Sequence, residues 1–376
     1  MEDLLPFPQC PRWGEPPWTI DFRPPPNAVP QEVDFAVVGG GFTGLSAAAW
    51  LRHLDPGKSV AVLEAAIIGA GASGRTGGMT LAGTAAGDLP GLGDVLAGFS
   101  KIVKWLEIDC DLRLPGAWEI GRQNILPDLP ISWSDSGTLG VIGEVPGGTS
   151  NPGKLVAGLA RAADSLGAVI CEHAPVDGIA GGESVRLAVG GRELLARQVL
   201  LATNALSLEL SGLAGRAQPM FTLAVATAPL EPSQIDALGL ASGKPFYTLD
   251  FPYLWGRLLP GNAVLFGGGL VRPAHWRELA RLDIATGEPS ELVARIERRV
   301  RALHPALRTT GFTHRWGGPI LAGSEWRPVF ARHPQNPRIL VSGAYAGHGV
   351  ALSVYLGRWA AEAMLGRREL PAWDTA

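Results

Sequence analysis

The hydrophobic positions near the start of the chain form two kinds of run. Residues 33–39 (VDFAVVG) are a short apolar, β-branched run that ends in glycine, which is typical of a buried strand. Residues 42–54 (FTGLSAAAWLRHL) are rich in alanine and leucine, which predicts a helix that ends before Pro56 and Gly57. Residues 59–64 (SVAVLE) predict a second buried strand. The pattern therefore indicates a strand–tight turn–helix–strand unit.

The central part of the chain mixes both periodicities. Amphipathic patterns predict helices over 98–108 and 151–167. Apolar runs predict strands over 169–173 and within 185–205, where a glycine pair makes a turn. Alternating and aromatic runs over 219–270 predict an antiparallel sheet. A mixed region of helices and strands therefore follows the first unit.

The two ends of the chain differ in pattern. Many prolines in residues 1–32 predict an extended arm on the surface, because proline lacks a backbone donor and resists helix. Residues 280–304 contain a basic amphipathic helix after Pro289, whose arginines we place on a solvated face. A buried strand at 338–343 and a helix at 348–365 close the chain. This order predicts a chain that returns to its first domain, with a second domain inserted.

Composition excludes several classes of protein. The chain has 376 residues, 46% hydrophobic and 18% charged, which is a globular balance and enough for two domains. A net charge of −3 gives no electrostatic footprint for nucleic acid. Cys10, Cys110 and Cys171 are far apart, which argues against a disulfide framework or a zinc site, and we predict no metal. The proline-rich start lacks a secretory pattern, and no window approaches ~18 uninterrupted apolar residues, so we predict a cytoplasmic protein without a membrane span.

Three glycines after the first strand have the spacing of a dinucleotide-binding turn. Gly39 permits the tight turn, Gly41 admits a pyrophosphate, and Gly44 allows close helix–strand packing. The helix N-terminus that follows favours a phosphate. Glu64, twenty residues after Gly44, can accept hydrogen bonds from both ribose hydroxyls and disfavours a 2′-phosphate. This unit predicts FAD or NAD and does not choose between them.

A second glycine-rich stretch, GAGASGRTGG at 69–78, follows within a few residues. With NPGKLVAGLARAADSLGAVI, ARQVLLATNA, HRWGGPI and GAYAGHGVALS, it resembles the FAD-dependent glycine/D-amino-acid oxidase-like family, and within it the γ-glutamylputrescine oxidoreductase branch, with Thr76 where that branch typically has asparagine. The resemblance implies FAD, with residues 69–78 running past the pyrophosphate and along the flavin.

The turn and the resemblance together predict the residues that bind the cofactor. They are Gly39, Gly41, Phe42, Thr43, Gly44, Glu64, Ala65, Ala72, Ser73, Gly74, Arg75, Thr76, Gly77, Gly78, Val176, Thr203, Asn204, Trp316, Gly317, Gly347, His348, Gly349 and Val350.

The resemblance also implies an α/β fold. We predict a Rossmann-like FAD-binding domain with an inserted α+β substrate domain built on an antiparallel sheet. The predicted segments are the N-terminal arm 1–32, the FAD-binding segments 33–85, 145–215 and 312–376, and the substrate-domain segments 86–144 and 216–311. The stretch 79–118 is shorter than usual for the family, which affects the shape of the substrate site.

The last glycine-rich segment, GAYAGHG at 343–349, lies between a buried strand and a helix. Backbone donors and the helix dipole there can stabilise negative charge on the N1/O2 edge of a reduced flavin. His348 is either a further donor or a helix-capping or packed histidine. We predict His348 and Tyr345 as catalytic residues, and Tyr345 also as a substrate contact.

The substrate clues favour an amine. The chemistry implied is hydride transfer from a C–N bond of a primary or secondary amine to flavin N5, after which the imine hydrolyses. Residues 316–320 (WGGPI) lack the arginine with which amino-acid oxidases of this family bind a carboxylate. Arg257 is either a replacement for it or a surface strand arginine, and Tyr253 is a further predicted substrate contact. A deaminating glycine/D-amino-acid oxidase and a non-catalytic FAD-binding paralogue or subunit stay open as alternatives.

The residue types in and near the flavin motifs predict how the cofactor is attached, and they leave the electron acceptor open. The C-terminal third has no cysteine, and no histidine precedes Gly77 and Gly78, so we predict non-covalent FAD. No lysine lies inside a flavin motif, which leaves oxygen or another electron acceptor open.

Overall fold

The computed structural model of the protein describes residues 12–374. Cys10 and the first eleven residues of the predicted arm lie outside this range. The α-helices are α1 (Phe42–Leu54), α2 (Val95–Trp105), α3 (Pro152–Ser165), α4 (Leu208–Ser211), α5 (Pro232–Ala237), α6 (Gly287–Leu303) and α7 (Gly349–Met364). The strands are β1 (Glu32–Val38), β2 (Val60–Leu63), β3 (Met79–Leu81), β4 (Ala117–Gly121), β5 (Ser132–Ser134), β6 (Thr138–Val145), β7 (Gly147–Thr149), β8 (Val169–Cys171), β9 (Val176–Ala180), β10 (Val185–Val189), β11 (Arg192–Leu201), β12 (Ala217–Thr227), β13 (Phe246–Thr248), β14 (Leu254–Leu258), β15 (Val264–Val271), β16 (Phe312–Gly323), β17 (Val329–His333) and β18 (Asn336–Gly343). None of the helices in this range combines the length and the apolar character needed to cross a bilayer.

The first large sheet carries the predicted strand–turn–helix–strand unit. Its strand order is β17-β18-β11-β1-β2-β8, and β9 and β10 form a hairpin attached to β11. The strands from β18 to β8 run parallel. Val37 and Val62 face a core shared with α1, α3 and α7, whereas Val38 and Leu63 face the other core. Burial on both faces explains why β1 and β2 are continuous apolar runs in the sequence.

The second large sheet has the order β16-β12-β15-β14-β13-β4-β6-β5 and is antiparallel except between β13 and β4. Phe221, Phe246 and Phe266 from its strands are fully buried. The predicted antiparallel sheet over 219–270 is confirmed for β12 to β15. However, β16 pairs with β12, although the sequence assigned 312–376 to the FAD-binding domain. The second sheet therefore draws strands from both sides of that predicted boundary, while β3 and β7 form a separate two-stranded sheet.

The described part of the arm, residues 12–32, is extended and mostly exposed or half-buried, but Trp13 departs from the predicted surface position. Trp13 is fully buried, and its Nε1 donates to the carbonyl oxygen of Leu279 at 2.8 Å. Gly14 forms an isolated antiparallel bridge with Trp316. Large apolar side chains in a proline-rich segment gain from burial, which is the reason that this part of the arm enters the core.

The prediction that the arginines of the late basic helix face solvent is also partly wrong. Arg295 and Arg298 on α6 are exposed as expected. Arg299 instead donates through Nε to Asp135 Oδ2 at 3.0 Å, and both side chains are only 14% exposed. A partly buried ion pair thus joins α6 to the β5–β6 turn of the second sheet.

Two helix starts differ slightly from the prediction. The helix predicted from residue 98 begins at Val95, because Asp94 Oδ1 accepts the Ala97 N–H at 2.9 Å and caps it. Helix α6 begins at Gly287, two residues before Pro289, since proline is compatible with the first turn of a helix.

Candidate cofactor and substrate site

The three glycines of the turn lie where β1 leads into α1, and each has a separate steric reason. Gly39 has φ +112°, and a Cβ there would lie 2.6 Å from the carbonyl oxygen of Ala202. A Cβ at Gly41 would lie 2.8 Å from Ser73 Oγ. A Cβ at Gly44 would overlap the carbonyl oxygen of Gly39, so the third glycine permits close helix–strand packing. The N-cap residue Gly41 has no side chain to cap α1, and Ser73 Oγ accepts the N–H of Phe42 at 2.9 Å. The N-terminus of the helix lines a cavity that can receive an anion.

Glu64 lies at the end of β2, beside this turn. Its Oε2 accepts the N–H of Gly40 at 2.8 Å, and its Oε1 accepts the N–H of Ala66 at 2.9 Å. Burial raises the pKa of the Glu64 carboxyl, while these two hydrogen bonds act in the opposite direction. The carboxylate is thus fixed by backbone donors at the edge of the cavity, where the sequence predicts an adenosine ribose.

Arg75 is the charged residue of the glycine-rich stretch, and its guanidinium is already occupied. Its Nη1 donates to the carbonyl oxygen of Gly14 at 2.7 Å, and its Nε donates to that of Ala70 at 3.3 Å. Burial lowers the pKa of Arg75, although a guanidinium stays charged at neutral pH. Arg75 therefore stabilises the stretch rather than presenting a free charge to a ligand.

The segment before α7 has an irregular backbone that is fixed by hydroxyl groups. The Tyr345 hydroxyl lies 2.7 Å from Thr43 Oγ1 and 2.9 Å from Ser342 Oγ, and burial raises the pKa of Tyr345 to about 12. The Ala344 N–H donates to Asn204 Oδ1 at 3.0 Å. The occupied Tyr345 hydroxyl joins α1 to the end of β18, which gives this residue a positioning role.

His348 precedes α7, and its side chain does not cap the helix. Its Nδ1 lies 3.4 Å from the carbonyl oxygen of Ala346, and burial lowers the pKa of His348 below 6.5. The imidazole is therefore neutral at pH 7, and because the carbonyl oxygen of Ala346 can only accept, Nδ1 carries the proton and Nε2 is left as a hydrogen-bond acceptor in a residue that lines the cavity.

One large cavity, about 1320 Å³ in volume, joins the turn, the glycine-rich stretch and the segment before α7. It is lined by nearly all the residues predicted to bind the cofactor, and by Tyr253 and Tyr345. The predicted site residues outside its lining are Gly44, Gly74, Gly78 and Arg257. Residues 12–374 contain no group of three His, Cys, Asp or Glu side chains that could hold a metal ion.

Arg257 is not a surface arginine, so that interpretation is wrong. The residue is 6% exposed, and its Nε donates to the carbonyl oxygen of Gly77 at 2.6 Å. Burial lowers the pKa of Arg257 to about 10. Its guanidinium lies behind the glycine-rich stretch, which leaves its predicted contact with the substrate without support from the cavity lining.

The sequence indicated the aromatic run with Tyr247, Phe251, Tyr253 and Trp255 as a candidate pocket wall, and all four line the cavity, but it did not single out most of the other lining side chains. Its inner walls include Met79, Met220, Thr222, Trp255, Leu270 and Ile320. Its mouth includes large apolar side chains that are 41–70% exposed: Leu249, Phe251, Tyr253 and Trp326. The aromatic run around 247–255 was the available signal, although aromatic residues in a sheet are more often core.

Comparison with known proteins gives two results: sequence matches identify the family, and a match to a solved structure identifies the fold. A family model described as FAD dependent oxidoreductase matches residues 34–363. A probable oxidoreductase OrdL from Haemophilus influenzae is 27% identical over 93% of this chain and 86% of its own length. γ-Glutamylputrescine oxidoreductase from Escherichia coli is 28% identical over 89% of this chain and 84% of its own length. Among solved structures, glycine oxidase from Geobacillus kaustophilus superposes with a TM-score of 0.71 at 20% identity, covering 92% of this chain and 98% of that one, which shows the fold.

The cavity fits FAD in the chemistry of its lining. Thr203 Oγ1 and Ser353 Oγ are buried and have no hydrogen-bond partner, and both residues line the cavity. Buried hydroxyls without partners are uncommon, since each costs free energy until a partner is supplied. A polar cofactor with ribose, phosphate and ring acceptors would satisfy them, while Glu64 and the N-terminus of α1, which lines the cavity, suit an adenosine diphosphate group.

Proposed function

This chain belongs to the family of FAD-dependent oxidoreductases, and from that premise we propose that it oxidises a C–N bond of a primary or secondary amine. When bound, FAD supplies the acceptor, at N5, for the hydride and its electron pair. The amine would become an imine, and water would then add and release a carbonyl compound and an amine or ammonia. The chain itself would bind and orient the amine and exclude water from the reacting bond.

The observation that carries this proposal is the character of the inner cavity walls. Apolar and aromatic side chains such as Met220, Trp255 and Leu270 line the cavity on the side of the second sheet. Arg75 is the charged side chain of the neighbouring glycine-rich stretch, and its guanidinium already donates to three carbonyl oxygens. An α-amino acid would bring a carboxylate directly beside the reacting carbon, and burying it without a partner is costly. The walls therefore favour an amine whose reacting carbon carries no carboxylate.

The residues near α7 would hold the reacting groups in place. We propose that His348, neutral because burial lowers its pKa, offers Nε2 as a hydrogen-bond acceptor toward the cofactor, since its Nδ1 proton is directed at the carbonyl oxygen of Ala346. Tyr345 would act through Thr43 and Ser342, whose hydroxyls it contacts, rather than touch the amine. Tyr253 at the mouth would contact the substrate as it enters.

A deaminating glycine or D-amino-acid oxidase is the second candidate, and Arg272 favours it. Arg272 lines the cavity and is exposed, and within residues 12–374 it makes no ion pair or side-chain hydrogen bond. A free guanidinium binds a carboxylate well through paired hydrogen bonds. An amino-acid substrate would have to place its carboxylate at this residue.

We propose that FAD is held without a covalent bond. Cys110 and Cys171 are buried, and neither lines the cavity. Burial raises the pKa of both thiols, to about 12 for Cys110, which keeps them protonated and unreactive. Acid precipitation of the yellow protein should therefore release the flavin into the supernatant.

Anaerobic reduction of the flavin tests the two candidates. Purified holoenzyme is mixed without oxygen with a panel of primary and secondary amines and with matched α-amino acids, and flavin absorbance is followed. We expect amines to bleach the flavin faster than the amino acids that carry the same side chain. Faster bleaching by glycine or D-amino acids would favour the second candidate, and Arg272→Gln should then abolish that advantage. Admission of air after bleaching shows whether oxygen accepts the electrons.

A further inference from the structure

Three side chains from distant parts of the chain bind carbonyl oxygens of the glycine-rich stretch 69–78, which we call the cofactor loop. Trp18 Nε1 donates to Gly74 O at 2.8 Å, across 56 residues of sequence. Trp316 Nε1 donates to Arg75 O at 2.9 Å, and Arg257 Nε donates to Gly77 O at 2.6 Å, across 241 and 180 residues. The shape of the loop therefore depends on donors that lie outside it.

These three donors also contact one another. The rings of Trp18 and Trp316 meet edge to face with their centroids 5.6 Å apart. The Arg257 guanidinium lies 6.0 Å from the centroid of the Trp18 ring. Trp18 is half-buried and packs with Trp316 and Trp255 in one apolar cluster. Trp18 does not itself line the cavity, so a change there would reach the cofactor through the loop and these neighbours and not by direct contact.

The backbone beside Trp18 is fixed independently of its side chain. The Gly317 N–H donates to Trp13 O at 2.8 Å, and Gly14 O accepts from Arg75 Nη1 at 2.7 Å. Gly14 has φ +74°, and a Cβ there would overlap Arg315 O, so the arm lies directly against β16. Loss of the Trp18 N–H alone would leave these backbone contacts in place.

We propose that Trp18 is a positioning residue for FAD, and that its indole N–H fixes the cofactor loop in the shape that binds the flavin. A loop with five glycines among its ten residues has many accessible conformations when its carbonyl groups are free. Ordering such a loop at the moment of binding weakens affinity, whereas a loop ordered in advance does not incur that cost. The proline-rich arm, which forms no part of the dinucleotide-binding turn, thereby controls how tightly the enzyme retains its cofactor.

Substitution of the two arm tryptophans gives a matched test. Trp18→Phe removes the N–H that reaches the cofactor loop and keeps an aromatic ring. Trp13→Phe removes an N–H with the same donor–acceptor distance, 2.8 Å, but its acceptor is Leu279 O, outside the loop. Apo-protein of each variant is titrated with FAD by the quenching of flavin fluorescence, and its thermal midpoint is measured without FAD.

We expect Trp18→Phe to weaken FAD binding roughly five- to tenfold, as the loss of one ordering hydrogen bond would. Trp13→Phe should lower the thermal midpoint of the apo-protein and leave FAD affinity within twofold of the wild type. The visible band of bound flavin should lose fine structure in Trp18→Phe alone. If Trp18→Phe does not fold, Trp18→Leu is used in its place. It also lacks the N–H, and we expect the same loss of FAD affinity.

Two results would overturn the proposal. One is FAD affinity in the folded Trp18 variant within twofold of the wild type. The other is an equal loss of affinity in Trp13→Phe, which keeps a ring opposite Arg75, because the effect would then not depend on the N–H that reaches the cofactor loop. Because the measured quantity is FAD affinity, an absence of amine oxidation would contradict the proposed function and leave this inference standing.

Discussion

The nucleotide-binding turn and the inner cavity wall of the second sheet are both built around glycines, but they are built in different ways. In the turn, a Cβ at Gly44 would overlap the backbone of Gly39, five residues away. In the wall, Trp255 on β14 lines the cavity, and a Cβ at Gly267 on β15 beside it would overlap its indole. The first glycine is required by backbone geometry, and the second by a neighbouring side chain. The backbone of the turn therefore keeps one shape whatever ligand binds, whereas the wall can be reshaped by substitution of the neighbouring side chain.

Gly44→Ala should produce the largest effect, because no rotamer change can relieve a clash with backbone. We expect a loss of about 1–3 kcal/mol in the free energy of unfolding, and FAD affinity reduced at least tenfold. Thermal unfolding and FAD titration measure the two effects. Gly57→Ala is the control, since a Cβ there would lie 3.4 Å from Asp55 Oδ1 in an exposed turn. Normal FAD binding by Gly44→Ala would mean that the turn is as adaptable as the wall.

Gly267→Ala should produce a smaller effect that a second substitution can reverse. The added methyl group would displace the Trp255 indole, which also lies against Gly77 of the cofactor loop. We expect amine-dependent bleaching of the flavin to slow roughly tenfold, equivalent to about 1.4 kcal/mol. Trp255→Phe in the same chain should restore most of the rate, because the smaller ring leaves room for the methyl group. An absence of rescue in the double variant would show that Gly267 is fixed by backbone, as Gly44 is.

His348→Gln should produce the smallest effect on the stability of the apo-protein, and this effect should appear in its pH dependence. Burial lowers the pKa of His348 below 6.5, so the unfolded chain takes up this proton at a higher pH than the folded chain. The contribution of neutral His348 to stability is therefore present above pH 6.5 and is lost as the pH falls toward the folded pKa. Chemical denaturation of apo-protein across this range should show a flatter acid side for the variant. His53 and His333, whose pKa values burial also lowers, are common to both proteins and cancel in the difference. If the free energy of unfolding falls equally with pH in both proteins, protonation of His348 does not contribute to the loss of stability in acid.

The same contrast explains what the sequence could predict. The turn, α1, β2 and Glu64 come from one continuous stretch, and short-range spacing determines how they meet. Arg257 could not be placed in this way, since its partner Gly77 lies 180 residues away and a strand pattern does not reveal burial. Trp18 and Trp255 have the same difficulty, because their roles come from neighbours supplied by other elements. The sequence therefore indicated the cofactor more completely than the walls that would contact a substrate.

The hydrogen bond between Thr43 and Tyr345 has a consequence for how the protein matures. It joins the first turn of α1 to a residue 302 positions later, and α1 also packs against α7 at the end of the fold. The ribosome makes these two partners at opposite times, and a nascent chain carries the turn long before it carries Tyr345. We expect FAD to enter only after translation is complete. Chains that end before α7 should accumulate without flavin, even though they contain the whole dinucleotide-binding turn.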